Sequence, residues 1–168
     1  VSDIGTAAAN EATFDEFEGD HFTDLVVVAD GELVITNVDG AVLDTLDLSS
    51  SNGGMNVTIT DSATALGVTL GTGNDVFVQN DTAGALTIST GTGDDTVTAA
   101  AAAVDTITVG AGQDTIISND FENVDVITDF VVGTDRYQID LSVLEGTGEI
   151  TGTDTVDLVA GASGSVAA

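Results

Sequence analysis

Gly71-Thr72-Gly73-Asn74-Asp75, Gly91-Thr92-Gly93-Asp94-Asp95 and Gly110-Ala111-Gly112-Gln113-Asp114 are three versions of one loop that returns every 19 or 20 residues. Each is followed by a short, mostly β-branched run: Val76-Phe77-Val78, Thr96-Val97-Thr98 and Thr115-Ile116-Ile117. A fixed period of this length is the signature of a solenoid, in which one repeat forms one coil and stacks on the last. Stacking brings the carboxylates of Asp75, Asp95 and Asp114 into a column, with about 4.8 Å between coils. Like charges so close repel unless a cation lies among them. The chain itself offers one arginine, Arg136, and no lysine. The expected counter-ion is Ca²⁺, which takes oxygen ligands and tolerates irregular geometry.

The rest of the period supplies a second strand per coil: Leu66-Gly67-Val68-Thr69-Leu70, Leu86-Thr87-Ile88-Ser89-Thr90 and Asp105-Thr106-Ile107-Thr108-Val109. Val68, Ile88 and Ile107 mark one inward position, and Phe77, Val97 and Ile116 mark another. Both sets recur at 20 and 19 residues, with mostly polar neighbours facing out. The far corner, Asp81 to Ala85 in one coil and Ala99 to Ala103 in the next, lacks the glycine motif. The carboxylate column is therefore expected on one edge only. In the loops, glycine permits backbone conformations closed to other residues, so the turn can aim carbonyl oxygens inward beside the aspartate. One such loop alone reads as a plain glycine turn with a solvated aspartate; three in register favour a metal site. Asn52-Gly53-Gly54-Met55-Asn56 precedes them by one period, with Asn56 aligned to Asp75 and the apolar residues out of phase by one. It is left open as a metal loop or a simple turn.

Outside the repeats the pattern changes. Thr6 to Glu18 reads as a short helix with Thr6 as N-cap and Gly19 as its stop, or as an extended arm. Leu25 to Val28, Leu33 to Thr36 and Val42 to Leu48 read as strands of a β-meander punctuated by Asp30-Gly31 and Asp39-Gly40, since Asp-Gly between apolar runs is a strong hairpin signal. Residues 146–168 are rich in Gly, Thr, Ala and Ser, with one strand expected at Val156 to Val159 and a mobile tail beyond Gly161.

Composition narrows the function. With 29 acidic residues against one basic residue, the formal charge is −28. Nucleic acid is a poor partner, because phosphate binding needs Lys and Arg, and anionic membrane surfaces are disfavoured by the same sign. Disorder is the common fate of acidic chains, but 42% of these residues are apolar and fall in β-branched runs. Without cysteine there is no disulfide or thiolate site. No apolar stretch approaches the length of a transmembrane helix, so membrane insertion is not expected. The chain opens on Val1 without a basic leader region, which predicts a mature product or a fragment. His21, between Asp20 and Asp24, reads as a surface histidine more readily than as a ligand. No nucleophile or paired-carboxylate motif stands out, and an enzyme is not expected.

The loops resemble the glycine- and aspartate-rich repeats of the RTX, or hemolysin-type calcium-binding, family. The stretch Asp125-x-Ile127-x-Asp129-Phe130, with Gly133-x-Asp135 and Ile139-Asp140-Leu141, looks like the segment that closes such rolls in secreted proteins. The resemblance covers about residues 52–141. It implies a β-roll fold, Ca²⁺ as the cofactor, Asp75, Asp95 and Asp114 as metal-binding aspartates, and Gly71, Gly73, Gly91, Gly93, Gly110 and Gly112 as loop glycines. It also implies export by a type I system. The family's leading loop glycine is replaced here by Leu70, Thr90 and Val109, and the second half-coil lacks the motif. That one-edged pattern is similar to a calcium-dependent ice-binding region of a bacterial adhesin.

The expected fold is all-β: a short parallel β-roll with an N-terminal β-meander and a C-terminal β cap. The expected divisions are 1–50 for the arm and meander, 51–141 for the roll and its closing segment, and 142–168 for the strand and tail. The expected function is that of an extracellular or cell-surface calcium-binding structural protein, self-associating into a bacterial surface layer, filament or matrix. One alternative is a folding and secretion module of a larger enzyme or adhesin. Another is an ice-binding repeat, although the outward loop pairs Thr72/Asn74, Thr92/Asp94 and Ala111/Gln113 lose their repetition along the stack.

Overall fold

The computed structural model describes residues 12–14, 17–18, 23–28, 33–35, 38–39, 43–60, 65–81, 84–99, 103–118 and 123–139. Among them every regular element is a strand: β1 (Ala12–Phe14), β2 (Phe17–Glu18), β3 (Asp24–Val26), β4 (Leu33–Ile35), β5 (Val38–Asp39), β6 (Thr45–Asp47), β7 (Met55–Thr60), β8 (Leu66–Thr69), β9 (Val76–Asp81), β10 (Leu86–Ser89), β11 (Thr96–Ala99), β12 (Thr106–Thr108), β13 (Thr115–Ser118), β14 (Val126–Ile127) and β15 (Arg136–Ile139). All pairings between them are parallel. Sheet one runs β1-β4-β7-β9-β11-β13-β15 and sheet two runs β3-β6-β8-β10-β12-β14, with β2 and β5 pairing separately. The chain passes from one sheet to the other and returns one strand further on, which is the β-solenoid that the period predicts. No described helix is long and apolar enough to cross a membrane.

The core lies between the two sheets because each strand alternates apolar and polar residues. In sheet one, Val57, Phe77, Val97, Ile116 and Tyr137 are register partners in turn. In sheet two the corresponding line is Leu25, Leu46, Val68, Ile88, Ile107 and Ile127. The middle members of both lines are fully buried, and Leu25, Ile127, Phe130 and Tyr137 pack against them from the ends. Burying a side chain such as Phe77 contributes about 1.5–3 kcal/mol. With no proline in the chain, no residue lacks the N–H that a continuous ladder needs.

Three expectations for the N-terminal third are corrected. Among the described residues of 24–48 the strands form no meander: β3 pairs with β6, β6 with β8, and β4 with β7, all parallel. The expected strands overlap the observed ones, but their partners are one coil away and not across a hairpin. Leu25, Leu46 and Val68 already stand a coil apart in sequence, and parallel stacking buries Leu46 and Leu48 completely, where a free hairpin would leave one face wet. The pairings β4–β7 and β6–β8 run across residue 50. Of the two readings of Thr6 to Glu18, the helix is contradicted and the extended arm holds at residues 12–14 and 17–18, which are strands; Thr13 and Phe14 are register partners of Val34 and Ile35. Finally, Met55 and not Asn56 is level with Asp75, since Asn56 pairs with Val76 and Val57 with Phe77. The inward phase of Val57 decides the register, because a one-residue slip would turn every apolar side chain outward. The expected C-terminal cap and tail at 142–168 lie outside the described residues, as does His21.

Glycine is required where the loops stack. Gly91 has φ +97°, and a Cβ there would overlap the carbonyl oxygen of Gly71 in the coil before. Gly133 has a similar φ of +90° but open space around it. The left-handed strain on a side chain, roughly 1–2 kcal/mol, is common to both, so the two sites separate strain from crowding. Gly133→Ala should cost about that much in chemical denaturation. Gly91→Ala should cost at least ~2 kcal/mol more. Equal losses would mean that the loops do not approach as described.

Candidate metal centre and carboxylate ladders

The strand that follows each loop fixes where the loop aspartate points. In the order Asp75-Val76-Phe77, the aspartate shares the inward phase of the core residue two places on. Asp75, Asp95 and Asp114 are accordingly buried, each about 1% exposed. Register makes them a true column, with Met55 before them and Asp135 after. Each carboxylate reaches back one coil. Asp75 Oδ1 accepts the N–H of Met55 at 2.6 Å, Asp95 Oδ1 that of Asp75 at 2.8 Å, Asp114 Oδ1 that of Asp95 at 2.9 Å, and Asp135 Oδ1 that of Asp114 at 3.2 Å. The aspartates therefore do structural work that the sequence alone did not reveal: they satisfy a backbone donor at each corner.

The second oxygens differ along the column. Oδ2 of Asp75, Asp95 and Asp114 is buried with no hydrogen-bond partner among the described residues. Thr90, whose side chain lies near Asp95, spends its one hydroxyl proton on the Val109 carbonyl at 2.7 Å. Asp135 is different, because its Oδ2 accepts the Val131 N–H at 2.7 Å. The column thus ends in a saturated carboxylate.

A second ladder runs outside the first and in the opposite sense. Asn74 Oδ1 accepts the Asp94 N–H, and Asp94 Oδ1 accepts the Gln113 N–H, both at 2.9 Å. Only an acceptor is used, which is why Asn and Asp alternate there. The loop glycines Gly71, Gly73, Gly91, Gly93, Gly110 and Gly112 all lie in this stitched region, and all but Gly71 have positive φ. The expectation that loop carbonyls aim inward fails for several of them, the Thr92 and Ala111 oxygens, for example, accepting the N–H groups of Gly73 and Gly93. The Gly71 and Gly91 oxygens accept the N–H groups of Thr92 at 3.3 Å and Ala111 at 3.1 Å, along the stacking direction.

Sequence reasoning missed the opposite corner. Asp105 is fully buried; its Oδ1 accepts the Leu86 N–H at 2.8 Å, and its own N–H goes to Asp125 Oδ1 at 2.9 Å. Asp105 Oδ2 is again without a partner among the described residues. The available signal was Val104-Asp105 and Val124-Asp125, one period apart and each leading into a strand. Asp129, also missed as an anchor, accepts the N–H groups of Val109 and Gly110 with its two oxygens, at 2.9 and 2.7 Å.

Burial is the leading cause of raised carboxyl pKa values here. It pushes Asp75 up to about 6, against the lowering effect of the Met55 N–H. It also raises Asp95, Asp105 and Asp114, and the Asp114 shift is reinforced by Asp95, Asp135 and Asp129. Magnitudes show why. Two carboxylates one coil apart, about 4.8 Å, repel by about 3 kcal/mol at an effective dielectric constant of 20. A hydrogen bond to a charged group returns about 1.5–3 kcal/mol. Asp95 has such a neighbour on both sides, so a proton or a cation is needed to complete the balance. The donor set is all oxygen, and among the described residues no three acidic or imidazole side chains converge on one point. The column therefore fits a hard cation that draws its remaining ligands from backbone or solvent oxygen. It does not fit a thiolate- or imidazole-bound metal. Comparison with family models, with curated proteins and with solved structures finds no match.

A raised folded-state pKa gives stability that is fully present below the unfolded value near 3.8 and is lost as pH climbs through about 6. The metal-free protein should therefore melt at a higher temperature at pH 4.5 than at pH 7.5. Asp75→Asn keeps the Oδ1 acceptor without the charge and should flatten part of this profile. An Asp75→Asn profile that parallels the wild type would assign the effect to surface charge alone.

Proposed function

We propose that this chain is an extracellular calcium-binding structural protein, a solenoid that builds part of a bacterial surface layer, filament or matrix. The observation that carries the reading is the set of buried, unpartnered Oδ2 atoms of Asp75, Asp95 and Asp114, stacked one coil apart in a chain of net charge −28. The resemblance of the loops to RTX repeats points the same way. Bound calcium supplies positive charge within the column. The chain's own part is to fix the carboxylates: Oδ1 of each is tied to the coil before, which leaves Oδ2 oriented and dry. The Asp135 end is closed by Val131, so cations are held by the coils before it.

A second reading, a folding and secretion module of a larger exported protein, draws on the closing-segment resemblance over Asp125 to Leu141. Both readings share calcium-dependent folding and differ in assembly. Among the described residues, β1 and β3 at one end and β14 and β15 at the other have no further strand beside them, and such edges recruit other chains. Here no lysine or proline blunts them. Repulsion between chains makes cations or salt a requirement for that contact.

Circular dichroism and thermal melting at pH 7.5, with calcium and with a strong chelator, test the metal. Chelation should lower the melting temperature or abolish the β spectrum. Asp95→Asn should stabilise the metal-free chain and lose much of the calcium response. Spectra and melting unchanged by chelation would overturn the calcium reading. Sedimentation and negative-stain microscopy across a calcium titration test assembly. Filaments or layers are expected at millimolar calcium, and a monomer at high protein concentration would favour the secreted module.

A further inference from the structure

The loop Asn52-Gly53-Gly54-Met55-Asn56 is a glycine motif that the carboxylate column does not use, since Met55 stands where the later loops carry aspartate. The Ser51 oxygen accepts the Thr72 N–H at 3.0 Å, as the Gly71 oxygen accepts that of Thr92 at 3.3 Å, so Asn52 and Gly53 stand one coil before Thr72 and Gly73. In those later loops the second glycine is stitched to the next coil. The Gly73 N–H donates to the Thr92 oxygen at 2.8 Å, and the Gly93 N–H to the Ala111 oxygen at 2.9 Å. Gly53 differs, because among the described residues its N–H meets no acceptor. Asn52 is exposed, and Gly53 puts no Cβ beside its own nitrogen. A side-chain amide, a neighbouring backbone nitrogen outside the hydrogen-bond ladder and open water therefore meet at one corner.

We propose that Asn52 is a site of spontaneous deamidation in the folded chain. The Gly53 nitrogen attacks Cγ of Asn52 and a C–N bond forms. The Cγ–Nδ2 bond breaks, and the proton of the Gly53 nitrogen leaves with Nδ2 as ammonia. Water then opens the five-membered imide. Opening at Cγ gives an aspartate at position 52. Opening at the backbone carbonyl carbon of Asn52 gives an isoaspartate, whose main chain runs through Cβ and Cγ. The attack is intramolecular, so its rate depends on how free the nitrogen is to reach Cγ. Asn74 is the internal comparison. It is also exposed, but the nitrogen that follows it belongs to Asp75 and donates to Asp95 Oδ1 at 2.8 Å. Its own Oδ1 accepts the Asp94 N–H at 2.9 Å. Both reacting groups are thus engaged there. Asn56 is followed by Val57, which lies inside β7 between two paired strands. The product also suits its place. An isoaspartate adds one main-chain atom between the Ser51 oxygen, held by Thr72, and the Met55 N–H, held by Asp75 Oδ1. The added atom falls in the corner and outside every strand. The reaction needs no cation, so the inference stands with either function proposed above.

The full-length protein is aged at pH 7.5, once folded and once in guanidinium, and Asn52 and Asn74 are followed by mass spectrometry of their peptides. Folding should slow Asn52 by less than ~10-fold and Asn74 by more than ~10-fold, a factor equal to about 1.4 kcal/mol of barrier. Isoaspartate should appear at position 52 of the folded chain, because the cyclic imide opens on both sides. Asn52→Gln, whose ring would have six members, should stay unmodified at that position over the same time. Slowing of Asn52 by more than ~10-fold on folding would mean that the loop withholds the Gly53 nitrogen, and it overturns the proposal. A mass gain at Asn52 without isoaspartate would mean direct attack of water on the side-chain amide, and it overturns the proposal too.

Discussion

The carboxylate that turns back to cap a backbone N–H one coil away is the constraint on which the molecule depends. A parallel solenoid turns a corner twice per coil, and each corner strips strand N–H groups of ladder partners. A buried N–H left unpaired costs about 1–3 kcal/mol. Side-chain acceptors remove that cost at both corners, with Asp75, Asp95, Asp114 and Asp135 on one side and Asp105 and Asp125 on the other. An asparagine would cap as well, as Asn74 does in the outer ladder. Choosing aspartate at buried positions adds a charge that capping does not need. That surplus charge is what turns a structural device into one that responds to protons.

The central coils were legible because their period is nearly constant and each copy carries glycines at the same offsets. Phe77, Val97 and Ile116 could be assigned to one inward line from spacing alone, and they occupy it. The earlier coils were not legible in the same way. Their corners lack Gly-x-Gly-x-Asp, and Asp-Gly pairs there imitate hairpin turns, so local turn chemistry pointed to antiparallel pairing while the apolar spacing pointed to stacking. Stacking wins because it closes the core of every coil. Asp105 and Asp125 were hidden for a related reason: with no glycine before them, nothing local separates a corner-capping aspartate from an outward one on a strand.

Charge is sorted by place in the coil. Among the described residues the sheets present mostly threonine, valine and serine outward, while carboxylates gather at the corners, at Asp81 in β9 and, for Asp24 and Asp47, at the N-terminal end of sheet two. This keeps much of the repulsion along the stack in two narrow lines where the caps act. The same sorting explains how a chain with almost no basic residues can carry a continuous apolar core.

The register partners of the inner column, Met55, Asp75, Asp95, Asp114 and Asp135, stand 20, 20, 19 and 21 residues apart. Corner lengths therefore vary, and β9 takes a bulge before Asp81, while the phase at the head of each of these strands is kept. The heritable unit of this fold is the phase and not the count. A residue can enter or leave at a corner and be absorbed there, and a whole coil can be copied or lost with the cap of each neighbour still meeting an N–H. A single residue added within a strand exchanges inside for outside beyond it unless a bulge takes it up, as β9 does between Gln79 and Asp81. Descendants of this chain are free to differ in length by whole coils and by small changes at their corners, while Val57, Phe77, Val97 and Ile116 keep step.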